Sequence, residues 1–469
     1  MYFYWLIAYL TIIISVGYFF SKRVKDADDY ALAGSSLGFF PICGTIMATA
    51  TGSFAIIATS GRGFTTGLSF LTWNIGYVLF GILAAVLLAS AIRSLKLYTI
   101  PELFKRRFGK WAALLPAITI GLMFLIPLFA VQLVGMGSVM ASTFGIKFEV
   151  GILIGFVVSV GFTLAGGMFS VAYTDALQMV IILFGVVLLF VLSAEQLGGV
   201  AQAFKNSTPE IVDPFSISFG DWLSLLLIFG TLSFVYQTTW QRIAAAKSKK
   251  IAVRAVSTGF GIVFIMTILT VCIGIFARQL IPTETKPDMV YSTLMTEIMP
   301  PKISGLFVVT LFSAILTSAT SFLLSGATSI ARDIYTEWIN PSSTKESLLK
   351  ILRLATAFMA IIGLGIAFFV KDIWTITLYA KAVSASILFF PVLAAFFWKQ
   401  ATTVGVITSM VIAALVAISW QALGNPFDTN AVIPGMTINF LTLVVVSLLT
   451  NHSTDEDPVA YYFKYRNQF

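Results

Sequence analysis

Histidine, cysteine and charge are all scarce in this chain of 469 residues: one His, two Cys, and only 11% Asp, Glu, Lys and Arg. An ordinary soluble domain is about a quarter charged. The single histidine, His452, lies near the C-terminus, which excludes a His/Cys zinc centre and a histidine-based catalytic triad. Cys43 and Cys272 both fall inside apolar runs, away from oxidising solvent and with no metal-binding neighbour, so no structural disulfide is expected.

What is abundant is apolar: 58% of residues are hydrophobic, and the mean hydropathy is +0.94. Apolar runs recur along the chain and predict thirteen spans, at 2–20, 37–60, 66–94, 112–140, 147–165, 173–193, 221–240, 255–277, 303–328, 351–370, 373–397, 401–421 and 433–450. A run of about 20 residues crosses the ~30 Å hydrocarbon core of a bilayer. The chain is therefore read as an all-α integral membrane protein, one helical bundle embedded in lipid. The N-terminal Met1-Tyr2-Phe3-Tyr4-Trp5 opens directly into the first run, without the basic start of a signal peptide, and is read as a retained helix.

Basic residues orient the bundle. With the N-terminus outside, the cytoplasmic loops receive clusters such as Lys22-Arg23, Lys105-Arg106-Arg107, Arg242 with Lys247, Lys249 and Lys250, and the tail residues Lys464 and Arg466. The opposite side receives only Arg62, Lys147, Lys205, Arg278, Lys286, Lys302 and Lys371. This bias predicts a multi-pass cell-membrane protein with its N-terminus outside and C-terminus cytoplasmic. The formal net charge of +8 then reflects topology, dispersed over short loops, and not a nucleic-acid-binding patch.

The stretch "SAILTSATSFLLSGATSIARD" (Ser313–Asp333) is unusual for a helix in oil, because its first sixteen residues hold seven hydroxyls. Ala314, Thr317, Ser318, Ser321 and Ser325 share one helical face. Close helix packing explains such a stripe. So does a site for a hard monovalent cation, which binds oxygens without requiring full buried charges. The second account needs oxygens from another helix, and span 2 offers Ala48-Thr49-Ala50-Thr51-Gly52-Ser53, a segment that unwinds easily and frees carbonyls. A glycine-permitted packing kink is the plainer reading of that segment.

Two charges need placing. Asp175 is either a water-facing residue at the start of span 6 or a buried acid that needs a cation. Lys381 lies about ten residues into span 11, ~15 Å deep by helical rise, and should face a partner or a wet cavity.

Five segments in order resemble the sodium/solute symporter family: "SKRVKDADDYALAGSSLGFF" (Ser21–Phe40), "YTIPELFKRRFG" (Tyr98–Gly109), "GGMFSVAYTDALQ" (Gly166–Gln178), "QTTWQRIAAAKSKK" (Gln237–Lys250), and the hydroxyl helix ending in Arg332-Asp333-Ile334-Tyr335. The resemblance covers most of the chain. It implies a five-plus-five inverted repeat with two broken helices: 1–36 as a first helix and loop, 37–195 as the first repeat, 196–397 as the second, and 398–469 as two accessory helices and a tail. The breaks are expected at Gly52 in span 2 and at Gly230 in span 7. The resemblance further implies a sodium site from Ala48, Thr51, Ala314, Thr317 and Ser318. A second sodium site, present in part of the family, matches Asp175, Thr320 and Ser321.

The expected function is sodium-coupled symport of a small organic solute by alternating access, with Ser53, Gln132, Tyr236, Gln237 and Lys381 as candidates to line the solute pocket. A buried ammonium at Lys381 suits a carboxylate such as an amino acid. The alternative is that Lys381 replaces a cation, giving a sodium-independent exchanger or a proton-coupled transporter. A transport-like sensor would need a signalling partner, and no obligate protein partner is inferred. An enzyme would need a charged cluster, whereas the spans offer only Asp175 and Lys381.

Overall fold

The computed structural model describes residues 2–300, 304–370 and 372–450, and the described chain is helical almost throughout. His452, Lys302, Lys371, Lys464 and Arg466 lie outside the described residues. Among the described residues, eleven helical stretches are long and apolar enough to cross a membrane.

Two of these stretches are interrupted by glycine. Phe54–Ser94 turns at Gly67 (φ 68°), between the helix Thr59–Thr66 and the helix Thr72–Ser94. Phe148–Gln196 is kinked at Gly167 (φ 51°, ψ −155°), the second glycine of the Gly166-Gly167 pair. A side chain at 167 would be strained by that φ and would meet the Tyr30 carbonyl at 2.7 Å. The kink lets the segment before span 2 cross the helix closely.

Burial sorts the helices into a centre and a rim. The hydroxyl helix Ser304–Ser329 is buried on every side from Phe307 onward and packs against Phe148–Gln196, Leu125–Phe144 and the first helix, Tyr2–Ser21. Helices Thr403–Ala422 and Val432–Leu449 pack mainly on each other and on Ile373–Phe397, and expose Leu415, Leu441 and Leu448 outward. Apolar side chains on an outer face are stable in lipid; hydroxyls at the centre, such as Thr310, Thr320 and Thr328, bond back to carbonyls of their own helix, while Thr317 and Ser318 reach carbonyls of span 2.

Spans 2 and 7 are the broken helices. Span 2 runs as Phe39–Ala50, leaves helical geometry at Thr51 (φ −102°, ψ 39°), and resumes through a wide turn at Phe54–Ala58. Span 7 is helical through Gly230 and breaks six residues later than expected, at Tyr236 (φ −81°, ψ 102°), before resuming as Gln237–Ala245. Gly230 itself is helical (φ −62°, ψ −55°). The later break is stabilised by Trp240, whose indole N–H donates to the freed Phe234 carbonyl at 2.8 Å.

Candidate functional site

The first half of span 2 ends with its last carbonyls unpaired by its own helix, which is the negative end of that half-helix dipole. The hydroxyl helix meets it there. Thr317 Oγ1 lies 3.0 Å from both Ala48 O and Ala314 O. Ser318 Oγ donates to Thr49 O at 2.9 Å and lies 3.5 Å from Ala48 O. Thr51 Oγ1 turns back to Met47 O (3.0 Å) and Ala48 O (3.3 Å). Ala48, Thr51, Ala314, Thr317 and Ser318 are thus drawn into one buried knot of neutral oxygens supplied by two helices. Gly52 permits the approach, since a Cβ there would meet Gln132 Oε1 at 2.7 Å and Ser318 Oγ more closely still.

Ser53 donates through both its N–H (3.0 Å) and its hydroxyl (2.9 Å) to Gln132 Oε1, so these two predicted pocket residues are bonded to each other beside the break. Tyr236, in the extended link of span 7, and Lys381 both line a small cavity of about 40 Å³, together with Ile46, Thr49, Ala50, Tyr77, Ser233 and Arg242. Lys381 Nζ sits over the faces of Phe54 (4.6 Å) and Phe229 (4.3 Å), and no acid lies within ion-pair distance of it among the described residues. Gln237 is placed elsewhere. Its amide accepts from Ile100 N (3.0 Å) and donates to Tyr98 O (3.2 Å), fastening span 7 to the loop at Tyr98–Ile100.

Asp175 is buried, not water-facing, because the second half of the kinked helix extends inward past it from Gly167. Its Oδ2 accepts from Thr45 Oγ1 at 2.5 Å. Ser321 bonds Thr49 across the helix interface at 2.8 Å. Thr320, the third residue expected here, donates back along its own helix to Leu316 O (3.0 Å) and Thr317 O (3.1 Å).

Arg242 was counted among the cytoplasmic loop charges by its position in the sequence; the structure buries it completely, because span 7 continues to Ala245. Its guanidinium donates to Ser321 Oγ (2.5 Å), Ser325 Oγ (3.3 Å), Thr45 Oγ1 (3.3 Å) and Thr238 O (3.3 Å). The aromatic cage of Phe54, Phe229 and Trp374 also escapes sequence reasoning, since these rings come from three distant segments. Phe54 stacks on Trp374 with centroids 5.6 Å apart and on Phe229 at 5.2 Å.

Those rings divide the molecule. Beyond Trp374 opens a cavity of about 540 Å³, lined by Arg62, Thr66, Ser69, Asp221, Arg278 and Asn430 among others. At the opposite end a set of contacts ties the segments together. Asp333 accepts from Thr99 Oγ1 (2.7 Å) and Ser329 Oγ (2.8 Å), Arg332 lies over the Tyr98 ring (3.6 Å), Lys105 pairs with Glu337 (2.6 Å), and Gln241 donates to Ala31 O (2.8 Å).

Comparison with known proteins agrees with this geometry. The chain is 25% identical to the osmoregulated proline transporter OpuE of Bacillus subtilis (strain 168), over 94% of this chain and 93% of that one. It is 26% identical to the sodium/glucose cotransporter of Vibrio parahaemolyticus, over 96% and 90%. A solved structure of a Na+-coupled sialic acid symporter, substrate-bound and outward-open, superposes with a TM-score of 0.85 at 21% identity, covering 97% of this chain and 99% of that one. That likeness shows the fold, the inverted-repeat core with its two broken helices. The sequence profile of the sodium:solute symporter family matches residues 30–413, and the chain accordingly belongs to that family, the sodium-coupled importers of small organic solutes.

Proposed function

We propose that sodium binds in the oxygen knot between spans 2 and 9, using the carbonyls of Ala48, Thr51 and Ala314 and the hydroxyls of Thr317 and Ser318. The observation that carries this is the 3.0 Å approach of Thr317 Oγ1 to Ala48 O, which brings oxygens of the two helices together where span 2 loses its helical geometry. Sodium there ties span 2 to span 9. An ion shifts a conformational equilibrium only insofar as it binds one conformer better, and this tie exists only while the two helices face each other.

The solute is a small organic anion or zwitterion whose carboxylate meets Lys381. A buried ammonium held by two aromatic faces has cation–π attraction of about 2 kcal/mol when desolvated, but among the described residues its three donors find no acceptor. A carboxylate supplies them. Tyr236, Ser53 and Gln132 complete the pocket, and Gln237 acts as a positioning residue that holds the inner half of span 7 against the loop at Tyr98. The enclosed space of about 40 Å³ is little more than one water's share of liquid volume, ~30 Å³, so Phe54, Phe229 and Trp374 must swing toward the outer cavity to admit solute.

The topology that fits is thirteen crossings in a cell membrane, with the N-terminus outside, the large cavity facing out and the fastened loops facing in. Its parts are 1–36, the repeats 37–195 and 196–397, and the accessory 398–469. The substrates by which these relatives are named, proline and glucose, are a zwitterion and an uncharged sugar. A proteoliposome screen under an inward sodium gradient, using labelled proline, short monocarboxylates and glucose, tests the anion reading. Uptake of a carboxylate that Lys381→Gln reduces about 10- to 100-fold, the range of a lost hydrogen-bonded charge, is expected. Glucose uptake unaffected by Lys381→Gln would contradict it.

A further inference from the structure

We propose that Arg242 is the resident cation of the second site, so that the acid and hydroxyls matched to a second sodium are already neutralised from within and the protein binds a single sodium. The proposal rests on the sodium reading above only in that it counts the ion held between spans 2 and 9.

The argument begins with charge. Asp175 and Arg242 are both buried in the same half of the bundle, linked through one hydroxyl: Thr45 donates to Asp175 Oδ2 and accepts from Arg242 Nε. A guanidinium stays protonated in proteins and a lone buried charge is very costly. Together the two sum to zero. A sodium ion added to this cluster would leave a net positive charge in a region enclosed by protein.

The direction of the hydrogen bonds makes the same point. Three hydroxyls, on Thr45, Ser321 and Ser325, offer oxygen lone pairs to the guanidinium. Their protons have other acceptors or partners: Thr45 uses Asp175, Ser325 uses Gln241 Oε1 at 2.5 Å, and Ser321 shares a bond with Thr49. This is the oxygen arrangement a bound cation imposes, and the cation it surrounds is Arg242. Thr320, the remaining residue matched to the second site, turns its hydroxyl to its own helix. The planar, forked guanidinium also joins span 7 to spans 2 and 9 through donors set in fixed directions, where a lysine would offer three rotatable ones from a single nitrogen.

The competing occupant is a sodium on Asp175 Oδ1, which has no hydrogen-bond partner among the described residues. Equilibrium binding of 22Na+ to the purified wild type, Arg242→Gln, Asp175→Asn and Arg242→Gln/Asp175→Asn separates the two. The expected count is one sodium per chain in the wild type, unchanged by Asp175→Asn. Arg242→Gln should bind one more, lost again in the double variant. A wild-type count of two, one of them removed by Asp175→Asn, overturns the proposal even if Arg242→Gln does not fold. So does a count that Arg242→Gln leaves unchanged. Failure of the sodium site between spans 2 and 9 reads differently: the wild type binds none, while Arg242→Gln still gains its Asp175-dependent ion.

Discussion

At the scale of the residue, the protein places few charges where they cannot be solvated and gives each a specific environment. Lys381 has aromatic faces, Asp175 has a threonine hydroxyl, and Arg242 has a ring of hydroxyl oxygens. A further charge outside the spans is Asp288, in the short turn Pro287–Met289 that packs closely on Gly61 of the helix Thr59–Thr66. Burial, reinforced by the nearby Asp372, pushes its carboxyl up to about 6, against the pull of Arg62 and the Ile373 N–H. A raised carboxyl favours the protonated form in the folded state, so the stability it contributes is full below about 4 and is lost as pH rises through about 6. Asp288→Asn should therefore raise the melting temperature at pH 7.5 and leave it nearly unchanged at pH 4. A variant less stable than the wild type at pH 7.5 would mean that the ionised carboxylate is held by its neighbours.

Residues also show what the sequence could and could not disclose. Thr317, Ser318 and Ala48 were legible because a hydroxyl stripe at helical spacing and a Gly-Thr-Ser segment are rare in apolar spans. Arg242 was hidden by a boundary: span 7 was expected to end at 240, and five more helical residues carry the guanidinium inside. Gln237 was misplaced for a related reason, because it follows a break whose true position, Tyr236, no glycine marks.

At the scale of the element, broken and kinked helices do the positioning. Gly167→Ala should cost about 1–3 kcal/mol, the range for a residue forced into a sparsely populated backbone region, read as a lowered melting temperature in detergent. An unchanged melting temperature would mean that the kink relaxes freely. Gly52→Ala acts on function. Its methyl would press on Ser318 Oγ and Gln132 Oε1, so the protein should fold but lose sodium-dependent stabilisation. The break at Gly167 was legible as the gap between the runs 147–165 and 173–193 and that of span 2 as the Gly52 segment, whereas the bond from Ser53 to Gln132 beside it joins residues seventy-nine apart and was not.

At the scale of the whole molecule, a large cavity at one end, an aromatic partition and a fastened opposite end describe one state of an alternating-access cycle. The partition closes over Lys381, and the end opposite the large cavity is held by Asp333, Arg332, Gln237 and Gln241. Single cysteines placed in a background lacking Cys43 and Cys272 should report this. A cysteine at Asn430 should react with a water-soluble maleimide in sodium alone, and one at Ser329 only after a transported solute is added. Equal labelling of both positions in sodium would mean that the inner end is not fastened. The count of crossings was the least local feature in the sequence, because apolar runs meet at Gly67 and Gly167 with only a sharp turn between them, so that among the described residues two of the eleven apolar stretches each hold two runs.

The most direct test of the oxygen knot is a thermal-shift titration of the purified protein with NaCl against equal KCl and choline chloride, repeated for Thr317→Ala/Ser318→Ala. A ligand that binds only the folded state stabilises it by about 2.7 kcal/mol at a hundred times its dissociation constant. The account predicts a sodium-specific rise in the wild type that is absent in the double variant. A sodium-specific rise of equal size in both proteins would contradict it, and would place the ion away from the junction of spans 2 and 9.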